Sequence, residues 1–346
     1  MKHLRKLLLP FSALYWLVTA LRNVFYNKGI FKGYAFDVPI IAVGNLSTGG
    51  TGKTPQTEYL IRLLAHKYRV ATLSRGYGRK TKGFILAGNK DSAQTIGDEP
   101  YQFYSKFPDI NVAVDADRVN GVSTLLALSP KPEVILLDDA YQHRRLKAGF
   151  YILLTAYGDI YADDYILPAG NLRESRTGAS RADVIVVTKC PRYFSEEDRQ
   201  RIIKKLTPKA SQKVFFTCID YAYAVYSETE ELDIEALKNM PKVLVAGIAK
   251  PERFFDLLKG PDMIIKKYPD HHAFTKSELD ELNELAKDKL IITTEKDYTR
   301  LKGRLPATRL FYLPISSMFI ADSDDFDNTI LNYVGKSTAN RYIYNE

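Results

Sequence analysis

A glycine-rich loop between a buried strand and a helix constrains this chain more than any other segment. Residues 38–44 are apolar, contain β-branched side chains and end in Gly44, which predicts a buried strand. The chain then reads Asn45-Leu46-Ser47-Thr48-Gly49-Gly50-Thr51-Gly52-Lys53-Thr54. Residues 55–68 are predicted to form a helix. Pro55 is compatible with its first turn, where the backbone N–H groups have no partner within the helix. A strand, a glycine loop, Lys-Thr and a helix in this order predict a loop that binds phosphate.

The loop supplies the groups that hold the phosphates of a nucleotide. The expected nucleotide-binding residues are Ser47, Thr48, Gly49, Gly50, Thr51, Gly52, Lys53 and Thr54. Lys53 would reach the β- and γ-phosphates, and the Thr54 hydroxyl would hold Mg²⁺. The strict pattern has glycine at position 47, where this chain has Ser47, but three further glycines keep the loop flexible. A glycine-rich turn that binds nothing is the alternative, and the flanking strand and helix argue against it.

A second apolar strand ends in carboxylates. Residues 133–137 are apolar after Glu133, and Asp138 and Asp139 follow them. Such a strand, placed beside the P-loop strand, delivers an acid to the Mg²⁺ shell. An apolar run before Asp is common by itself, but its position downstream of a P-loop makes the pairing informative. Thr54, Asp138 and Asp139 are therefore the predicted magnesium ligands.

The nucleotide is predicted to be ATP. Proteins that select guanine carry an Asn/Thr-Lys-x-Asp segment at a strand end. Residues 184–191 contain the strand and Thr188-Lys189, but Pro191 stands where the discriminating Asp is needed. Guanine specificity is therefore disfavoured.

Four polar clusters follow predicted strands or open helices. They lie at residues 74–79, 97–100, 138–145 and 167–175. Any one of them has an ordinary explanation, such as a solvated arginine or an acidic helix N-terminus. In a doubly wound sheet, however, loops at the carboxyl ends of the strands converge on one crevice. A kinase needs an acceptor hydroxyl and a group that takes its proton, and these clusters are where we expect to find them.

The N-terminal segment is apolar with a helical period. Apolar residues recur at steps of three and four from Leu4 to Phe25, with basic residues before and after them. A membrane span needs about 20 apolar residues, and Pro10 and Arg22 shorten this run. A secretory signal is disfavoured because export would separate a nucleotide-binding domain from ATP. An interfacial helix in the headgroup layer fits best, and a helix simply packed on the domain behind it is the remaining alternative.

The second half of the chain repeats the alternation of strands and helices. The overall prediction is an α/β protein: a P-loop NTPase-type domain with a parallel sheet, a second and smaller α/β domain, and an N-terminal membrane-associated helix. The expected boundaries are 1–28 for the helix, 29–212 for the kinase domain, 213–228 for a two-stranded hinge and 229–346 for the C-terminal domain. Two lobes around one site suggest closure on the nucleotide.

Composition narrows the partners. Lys and Arg number 49 against 41 Asp and Glu, so the formal charge is +8 and anionic partners are favoured. Neither a basic tail nor an RNA-binding signature is present, so no nucleic-acid partner is expected. The two cysteines, Cys190 and Cys218, show no pairing pattern, and a reducing compartment fits them better.

The chain resembles the tetraacyldisaccharide 4′-kinase (lipid A 4′-kinase) family of Gram-negative bacteria. The matching segments run in order along nearly the whole chain: the N-terminal helix, residues 43–54, 74–79, 97–100, 138–145, 167–174, 246–254, 270–271 and 294–297. One departure is Ala140-Tyr141, where the family often has Gly-Phe.

The resemblance implies the reaction and the roles of several residues. ATP would phosphorylate the 4′-hydroxyl of a tetraacylated disaccharide 1-phosphate at the cytoplasmic face of the inner membrane, with no obligate protein partner. By the same resemblance Asp98 would be the base, tuned by His271, with Lys53 as the third catalytic residue. The residues expected around substrate and phosphate are Arg75, Tyr77, Glu99, Arg118, Gln142, Arg173 and Glu174.

Two other functions remain open at this stage. A P-loop kinase of a soluble metabolite would keep its activity without the N-terminal helix. A nucleotide-switched ATPase without an acceptor would be insensitive to replacement of Asp98.

Overall fold

Two parallel-stranded sheets form the framework of the protein in a computed structural model, which describes residues 5–343 and side-chain surroundings up to residue 337. Residues 1–4, which belong to the predicted N-terminal helix, lie outside the described residues. The α/β architecture with a P-loop domain, a second lobe and an apolar N-terminal helix is confirmed.

The larger sheet has nine strands in the order β15-β8-β7-β6-β1-β5-β2-β4-β3. Its strands are β1 (Ile40–Asn45), β2 (Val70–Ser74), β3 (Ile85–Leu86), β4 (Asn111–Val114), β5 (Val134–Asp138), β6 (Phe150–Ala156), β7 (Val184–Thr188), β8 (Lys213–Tyr221) and β15 (Ile315–Phe319). The seven inner strands are parallel, and β3 and β15 close the edges in antiparallel pairing. Every residue of β1, β2, β5 and β7 is buried, as expected for strands covered on both faces.

The smaller sheet has six strands in the order β10-β9-β14-β13-β11-β12. Its strands are β9 (Ala224–Tyr226), β10 (Glu231–Asp233), β11 (Lys242–Ala246), β12 (Met263–Lys267), β13 (Leu290–Thr294) and β14 (Leu310–Leu313). The four strands from β11 to β14 are parallel, and β9 and β10 are antiparallel additions.

Helices cover both sheets. In chain order they are α1 (Leu9–Asn27), α2 (Lys53–Ala65), α3 (Ala93–Ile96), α4 (Asp98–Lys106), α5 (Arg118–Leu126), α6 (Glu196–Leu206), α7 (Ile234–Lys238), α8 (Glu252–Leu257), α9 (Lys276–Leu285), α10 (Glu295–Leu301) and α11 (Ser323–Ile343). Helix α2, which follows the P-loop, buries Leu60, Ile61 and Leu64 in the main core. Its anchoring in that core fixes the direction of the loop before it.

The structure corrects two of the expected domain boundaries. Strand β8, expected in a hinge ribbon, extends the larger sheet because Phe215 and Phe216 are buried in its cores. It pairs with β15, so the chain returns from the smaller lobe to the larger one.

Helix α11 lies on the larger sheet, although residues 229–346 were expected to form a C-terminal domain. Its residues Phe326, Ile330 and Val334 recur at steps of four and are buried in the main core. Burial of such side chains stabilises the fold by about 2 kcal/mol each. The alternation of strands and helices in sequence cannot indicate such a return of the chain.

The N-terminal helix faces the protein with its polar residues. Residues Lys6–Asn27 form one helix that is long and apolar enough to cross a membrane, and only 6% of it is buried. Ser12 is its one buried residue within α1, where it donates to the Ile166 carbonyl and accepts from the Ala169 amide, both at 3.0 Å. The side chains exposed by at least half on the other side are Leu7, Phe11, Leu14 and Val18. The apolar side of α1 is therefore not the side that packs on the domain.

Candidate active site

The P-loop follows the central strand β1 and opens helix α2. Gly49 and Gly52 have φ of 104° and 84°, a region that only glycine adopts without strain. Gly52 directly precedes Lys53, the first residue of α2. The loop therefore turns its amides toward the N-terminus of a helix, which is the geometry that binds phosphate.

The first two residues of the expected phosphate-binding loop, Ser47 and Thr48, form backbone contacts with another loop of the protein. The Thr48 amide donates to the Asn171 carbonyl at 2.8 Å, and Ser47 forms a β-bridge with Leu172. Ser47 and Thr48 thus join the P-loop to the 166–174 loop, and the Thr48 amide is already bonded within the protein.

Lys53 and the two aspartates meet at the end of β5. The Lys53 ammonium lies 3.6 Å from Asp139 Oδ1, and Arg173 lies 3.2 Å from the same oxygen. Burial raises the pKa of Asp139, but Lys53 and then Arg173 outweigh it and hold the pKa below its usual value. Asp139 is therefore an ionised carboxylate paired with two cations.

Asp138 differs from its neighbour because no cation of the described residues forms a salt bridge with it. Its side chain is buried, and its Oδ1 has no hydrogen-bond partner among the described residues. The same holds for Ser74 Oγ and for both polar atoms of the Asn45 side chain. Burial and the charge of Asp139 raise the pKa of Asp138 to about 7. Because β1, β5 and β2 are adjacent, three unpartnered polar side chains lie along one edge of the sheet.

These residues fit a magnesium ion. Mg²⁺ binds through one or two carboxylates together with waters and substrate phosphates. The Asp138 oxygen is buried, has no donor among the described residues and ends the strand that pairs with β1, the strand leading into the P-loop, so it is a ligand that such an ion would complete.

Two cationic side chains lie near the aspartates at the end of β5. Arg118 is buried, donates to the Asp115 carbonyl at 2.6 Å, and has no partner for Nε among the described residues. Burial lowers the pKa of Arg118 to about 10, and the nearby charge of Arg75 contributes to the decrease. Arg75 itself is exposed. These two guanidinium groups are suited to an anionic ligand.

Gln142, Arg173 and Glu174 form a connected group behind the aspartates. Gln142 donates to the Asn45 carbonyl at 2.7 Å, and Arg173 contacts the Gln142 side-chain oxygen at 3.4 Å. Glu174 is buried and accepts from both terminal nitrogens of Arg181, at 2.8 and 2.9 Å. The Glu174 carboxylate is thus buried and already paired with Arg181.

The expected base lies at the boundary between the lobes. Asp98 begins α4, and His271 Nδ1 of the smaller lobe lies 3.4 Å from Asp98 Oδ2. Arg300 also reaches Asp98, with Nε 3.1 Å from Oδ1 and Nη2 bonded to Oδ2. Burial raises the pKa of Asp98, but hydrogen bonds from His271 and Arg300, with the charges of Arg300 and Lys296, lower the pKa to about 2. The carboxylate is therefore ionised at neutral pH.

Two further expected residues lie next to this pair. Glu99 forms a salt bridge with Lys296 at 3.1 Å, and its charge acts on Asp138. Tyr77 is 72% exposed, and its ring centroid is 5.8 Å from that of His271. His272, the neighbour of His271, instead pairs with Glu278 at 2.9 Å within the smaller lobe.

Several residues at the site were not expected from the sequence. Thr188 donates to the Thr51 carbonyl at 2.7 Å, and Lys189 donates to the Gly50 carbonyl at 2.6 Å. In the sequence, Thr188-Lys189 at the end of β7 bears on whether the protein selects guanine. Its position at the carboxyl end of a strand also indicates that it lies near the P-loop. Lys296 lies in the matching segment 294–297 but has no site role in the sequence-based prediction, and nothing in the sequence indicates Arg300, because both lie on a helix of the other lobe.

A family model described as tetraacyldisaccharide-1-P 4′-kinase matches residues 4–335. The chain is 56% identical over 334 residues to the tetraacyldisaccharide 4′-kinase of Flavobacterium johnsoniae, covering 96% of this chain and 98% of the relative. It is 40% identical over 361 residues to that of Bacteroides thetaiotaomicron, covering 97% of this chain and 95% of the relative.

A solved structure has the same fold. The crystal structure of LpxK from Aquifex aeolicus in complex with ATP superposes with a TM-score of 0.76 at 31% identity. The match covers 96% of this chain and 99% of that chain.

Proposed function

The chain belongs to the tetraacyldisaccharide-1-P 4′-kinase family, and from that premise we propose how its residues carry out the reaction. The enzyme transfers a phosphoryl group from ATP to the 4′-position of a lipid A precursor. The γ-phosphorus leaves the oxygen that joins it to ADP and forms a new bond to the acceptor oxygen. The acceptor proton must therefore move to a base.

The triphosphate of ATP binds to the amides of residues 49–54. One observation carries this assignment: left-handed Gly49 and Gly52 lead into α2, and the Lys53 ammonium is positioned against Asp139. The Lys53 ammonium can pair with either Asp139 or the γ-phosphate of ATP, and the γ-phosphate carries the larger negative charge. When ATP binds, Lys53 contacts the phosphates, and Asp139 remains paired with Arg173.

Thr54 and Asp138 would hold Mg²⁺, with Asp138 as the direct carboxylate ligand. Its Oδ1 has no donor among the described residues, whereas the oxygens of Asp139 lie against cations. Bound there, the ion would neutralise charge on the β- and γ-phosphates. A divalent cation would also favour the ionised form of Asp138 and so reverse the effect of burial on its pKa.

Asp98 takes the proton of the 4′-hydroxyl, and His271 supports it. The carboxylate is ionised, so it can accept a hydrogen bond from the hydroxyl and orient that oxygen toward the γ-phosphorus. The charge of Glu99 acts on Asp138, which connects the base to the phosphate side of the crevice. Arg75 and Arg118 lie near the two aspartates and would pair with substrate anions, whereas the Gln142 side chain is bonded to Asn45 and Arg173 and would hold the residues around Asp139 in place.

The N-terminal helix attaches the enzyme to a membrane surface. Its polar residues bind the 166–174 loop, while Leu7, Phe11, Leu14 and Val18 are exposed by 75%, 64%, 63% and 59%. Such a helix lies in the headgroup layer with its apolar side toward the acyl chains. ATP is a cytoplasmic metabolite, so the attachment is to the cytoplasmic face of the inner membrane.

The test is a transfer assay with the purified full-length protein. The protein is incubated in detergent with γ-labelled ATP, Mg²⁺ and a tetraacylated disaccharide 1-phosphate, and the lipid product is analysed. We expect label at the 4′-position. Lys53→Ala should reduce turnover by several orders of magnitude, and Asp98→Asn should stop transfer while ATP still binds.

Other outcomes would identify the rival functions. Labelled inorganic phosphate without labelled lipid would indicate a nucleotide-switched ATPase. Full activity of Asp98→Asn on the lipid would overturn the assignment of the base.

A further inference from the structure

Helix α10 (Glu295–Leu301) of the smaller lobe presents two cations to the larger lobe. Lys296 and Arg300 are four residues apart, so they lie on one side of the helix. Lys296 contacts Glu99 at 3.1 Å, and Arg300 binds Asp98 with two nitrogens. The first two residues of α4 are thus each paired with a cation from the other lobe.

Arg300 is rigidly supported from behind. Its Nη1 lies 3.2 Å from Asp297 Oδ1, and its side chain is only 10% exposed. Asp297 is fully buried and accepts from the Gly247 amide and the Thr294 hydroxyl, both at 2.8 Å. An arginine with this support has a fixed direction and differs from a surface ion pair, whose contribution is small.

The contacts of Arg300 define how much of the Asp98 carboxylate is free. A carboxylate offers about four lone-pair sites. Arg300 uses one site on each oxygen, and His271 Nδ1, 3.4 Å from Oδ2, lies against a third. One site on Oδ1 then remains for a substrate hydroxyl.

Lys296 determines which nitrogen of His271 carries the proton. Lys296 Nζ lies 2.8 Å from His271 Nε2, and an ammonium group can only donate. Nε2 is therefore the acceptor, and in the neutral ring the proton lies on Nδ1, facing Asp98. The 3.2 Å approach of Arg300 to Nδ1 is consequently a contact between two donors.

We propose that Lys296 and Arg300 are positioning residues of the reaction: Arg300 holds the Asp98 carboxylate, and Lys296 fixes the tautomer of His271. The proposal rests on the proposed role of Asp98 as the base. It assigns a role to residues 294–297, a segment that matches the family but that has no role in the steps proposed above. Because both cations come from the smaller lobe, the base is assembled only when the two lobes are together.

The electrostatics agree with this arrangement. The charged and titratable groups around Asp98 and its partners are Asp270, His271, Lys296, Asp297 and Arg300 from the smaller lobe and Tyr77 and Glu99 from the larger lobe. Burial alone would raise the pKa of Asp98, but His271, Lys296 and Arg300 of the smaller lobe lower this pKa below its usual value. Without Arg300, the carboxylate would take up a proton at a higher pH.

The test compares full-length variants in the lipid kinase assay between pH 4.5 and 9. Arg300→Met should lower kcat by about 100-fold, a typical loss for a misplaced catalytic group. It should also move the acidic limb of the pH profile of kcat/KM to higher pH and leave the affinity for ATP unchanged. Arg300→Lys, which keeps the charge without the fork, should restore the acidic limb in part. Lys296→Met should lower kcat at least tenfold with little change in the KM for ATP.

Arg304→Met is the matched control, because the side chain of Arg304, in the same lobe, bonds only to the Phe274 carbonyl among the described contacts. It should behave as the wild type. Thermal unfolding of each variant separates misfolding from mispositioning, and Arg300→Lys serves as the test if Arg300→Met does not fold.

The results distinguish the positioning roles of Lys296 and Arg300 from the proposed role of Asp98 as the base. An inactive Asp98→Asn together with an unchanged pH profile in Arg300→Met would overturn the role of Arg300 alone. A weakened affinity for ATP in Arg300→Met would assign Arg300 to phosphate binding instead. A fully active Asp98→Asn would remove the base, and the positioning role with it.

Discussion

Lys189 Nζ donates to the Gly50 carbonyl at 2.6 Å, so the end of strand β7 holds the backbone of the P-loop. Lys189 has a φ of 60°, which turns its side chain out of the strand direction and over the loop. The neighbouring Thr188 hydroxyl donates to the Thr51 carbonyl, so two adjacent residues fix two carbonyls of the loop. With its carbonyls held from this side, the loop keeps its amides available to phosphate.

This bond predicts the effect of Lys189→Met on ATP binding. A hydrogen bond of this kind contributes about 1 kcal/mol, so the KM for ATP should rise about 5- to 10-fold, and kcat should change less. Steady-state kinetics at saturating lipid measures both quantities. Lys250→Met is the control, since Lys250 is a nearby exposed lysine that pairs with Asp159. An unchanged KM for ATP in Lys189→Met would show that the bond does not support the loop.

Magnesium dependence should separate the two aspartates. Asp138→Asn keeps the shape of the side chain but removes its negative charge. We expect kcat to fall by at least 100-fold, since metal ligation stabilises charge in the transition state by several kcal/mol. The Mg²⁺ concentration for half-maximal rate should rise, and EDTA should abolish activity of the wild type. Asp262→Asn, at an exposed salt bridge with Lys289, is the control. A larger shift in Mg²⁺ requirement for Asp139→Asn than for Asp138→Asn would reverse our assignment.

A buried ionic cluster joins the lobes and should control stability. Lys106 lies 2.8 Å from Glu58 and 2.6 Å from Glu295, and both carboxylates are nearly inaccessible. Lys106→Met leaves two buried carboxylates without their shared cation. Because Lys106 is 26% exposed, we expect a loss of about 2 kcal/mol in the free energy of unfolding, less than for a fully buried pair.

The loss in Lys106→Met should depend on pH. Burial and the charge of Glu58 already raise the pKa of Glu295, and removal of Lys106 raises this pKa further. A group with a raised pKa in the folded state binds protons more readily than it does when unfolded, so the variant gains stability as pH falls. Urea unfolding at pH 8 and pH 5.5 should show the larger loss at pH 8. The double variant Lys106→Met/Glu295→Gln should recover part of it, and equal losses at both pH values would contradict this account.

The exposed side of α1 should decide membrane binding. Replacement of Leu7, Phe11, Leu14 and Val18 by Gln removes about 1 kcal/mol of burial in lipid per residue. Binding to vesicles of mixed neutral and anionic lipids should weaken at least 100-fold in co-sedimentation. Binding of ATP should be unaffected, because the polar contacts of the helix remain. Tyr193→Ser/Tyr223→Ser, at side chains exposed by 99% and 81%, is the control and should bind vesicles normally.

Local patterns in the sequence were sufficient for the P-loop and its acidic strand. Glycines, Lys-Thr and a following helix define the loop, and the parallel pairing of β1 with β5 places Asp138 beside it. These features depend on residues close in sequence and on one general property of parallel sheets. The convergence of the remaining clusters follows from the same property.

Features that depend on distant segments were not predictable. Asp98 and Arg300 are 202 positions apart, and their contact exists only because two lobes are apposed in one way. The return of α11 to the larger sheet has the same cause. The direction of α1 was also undetermined, because a helical period is identical whether its apolar side faces the protein or the lipid.

The position of α1 has a kinetic consequence. The helix bonds to the 166–174 loop, and that loop bonds to the start of the P-loop. With α1 in the headgroup layer, as we propose, the catalytic centre would therefore stay at a fixed distance from the bilayer. ATP reaches the site from solution, whereas the acceptor lipid reaches it by diffusion within the membrane surface. Rates should therefore follow the mole fraction of acceptor lipid in the surface, and inert lipid added at constant acceptor should slow the enzyme by dilution in two dimensions.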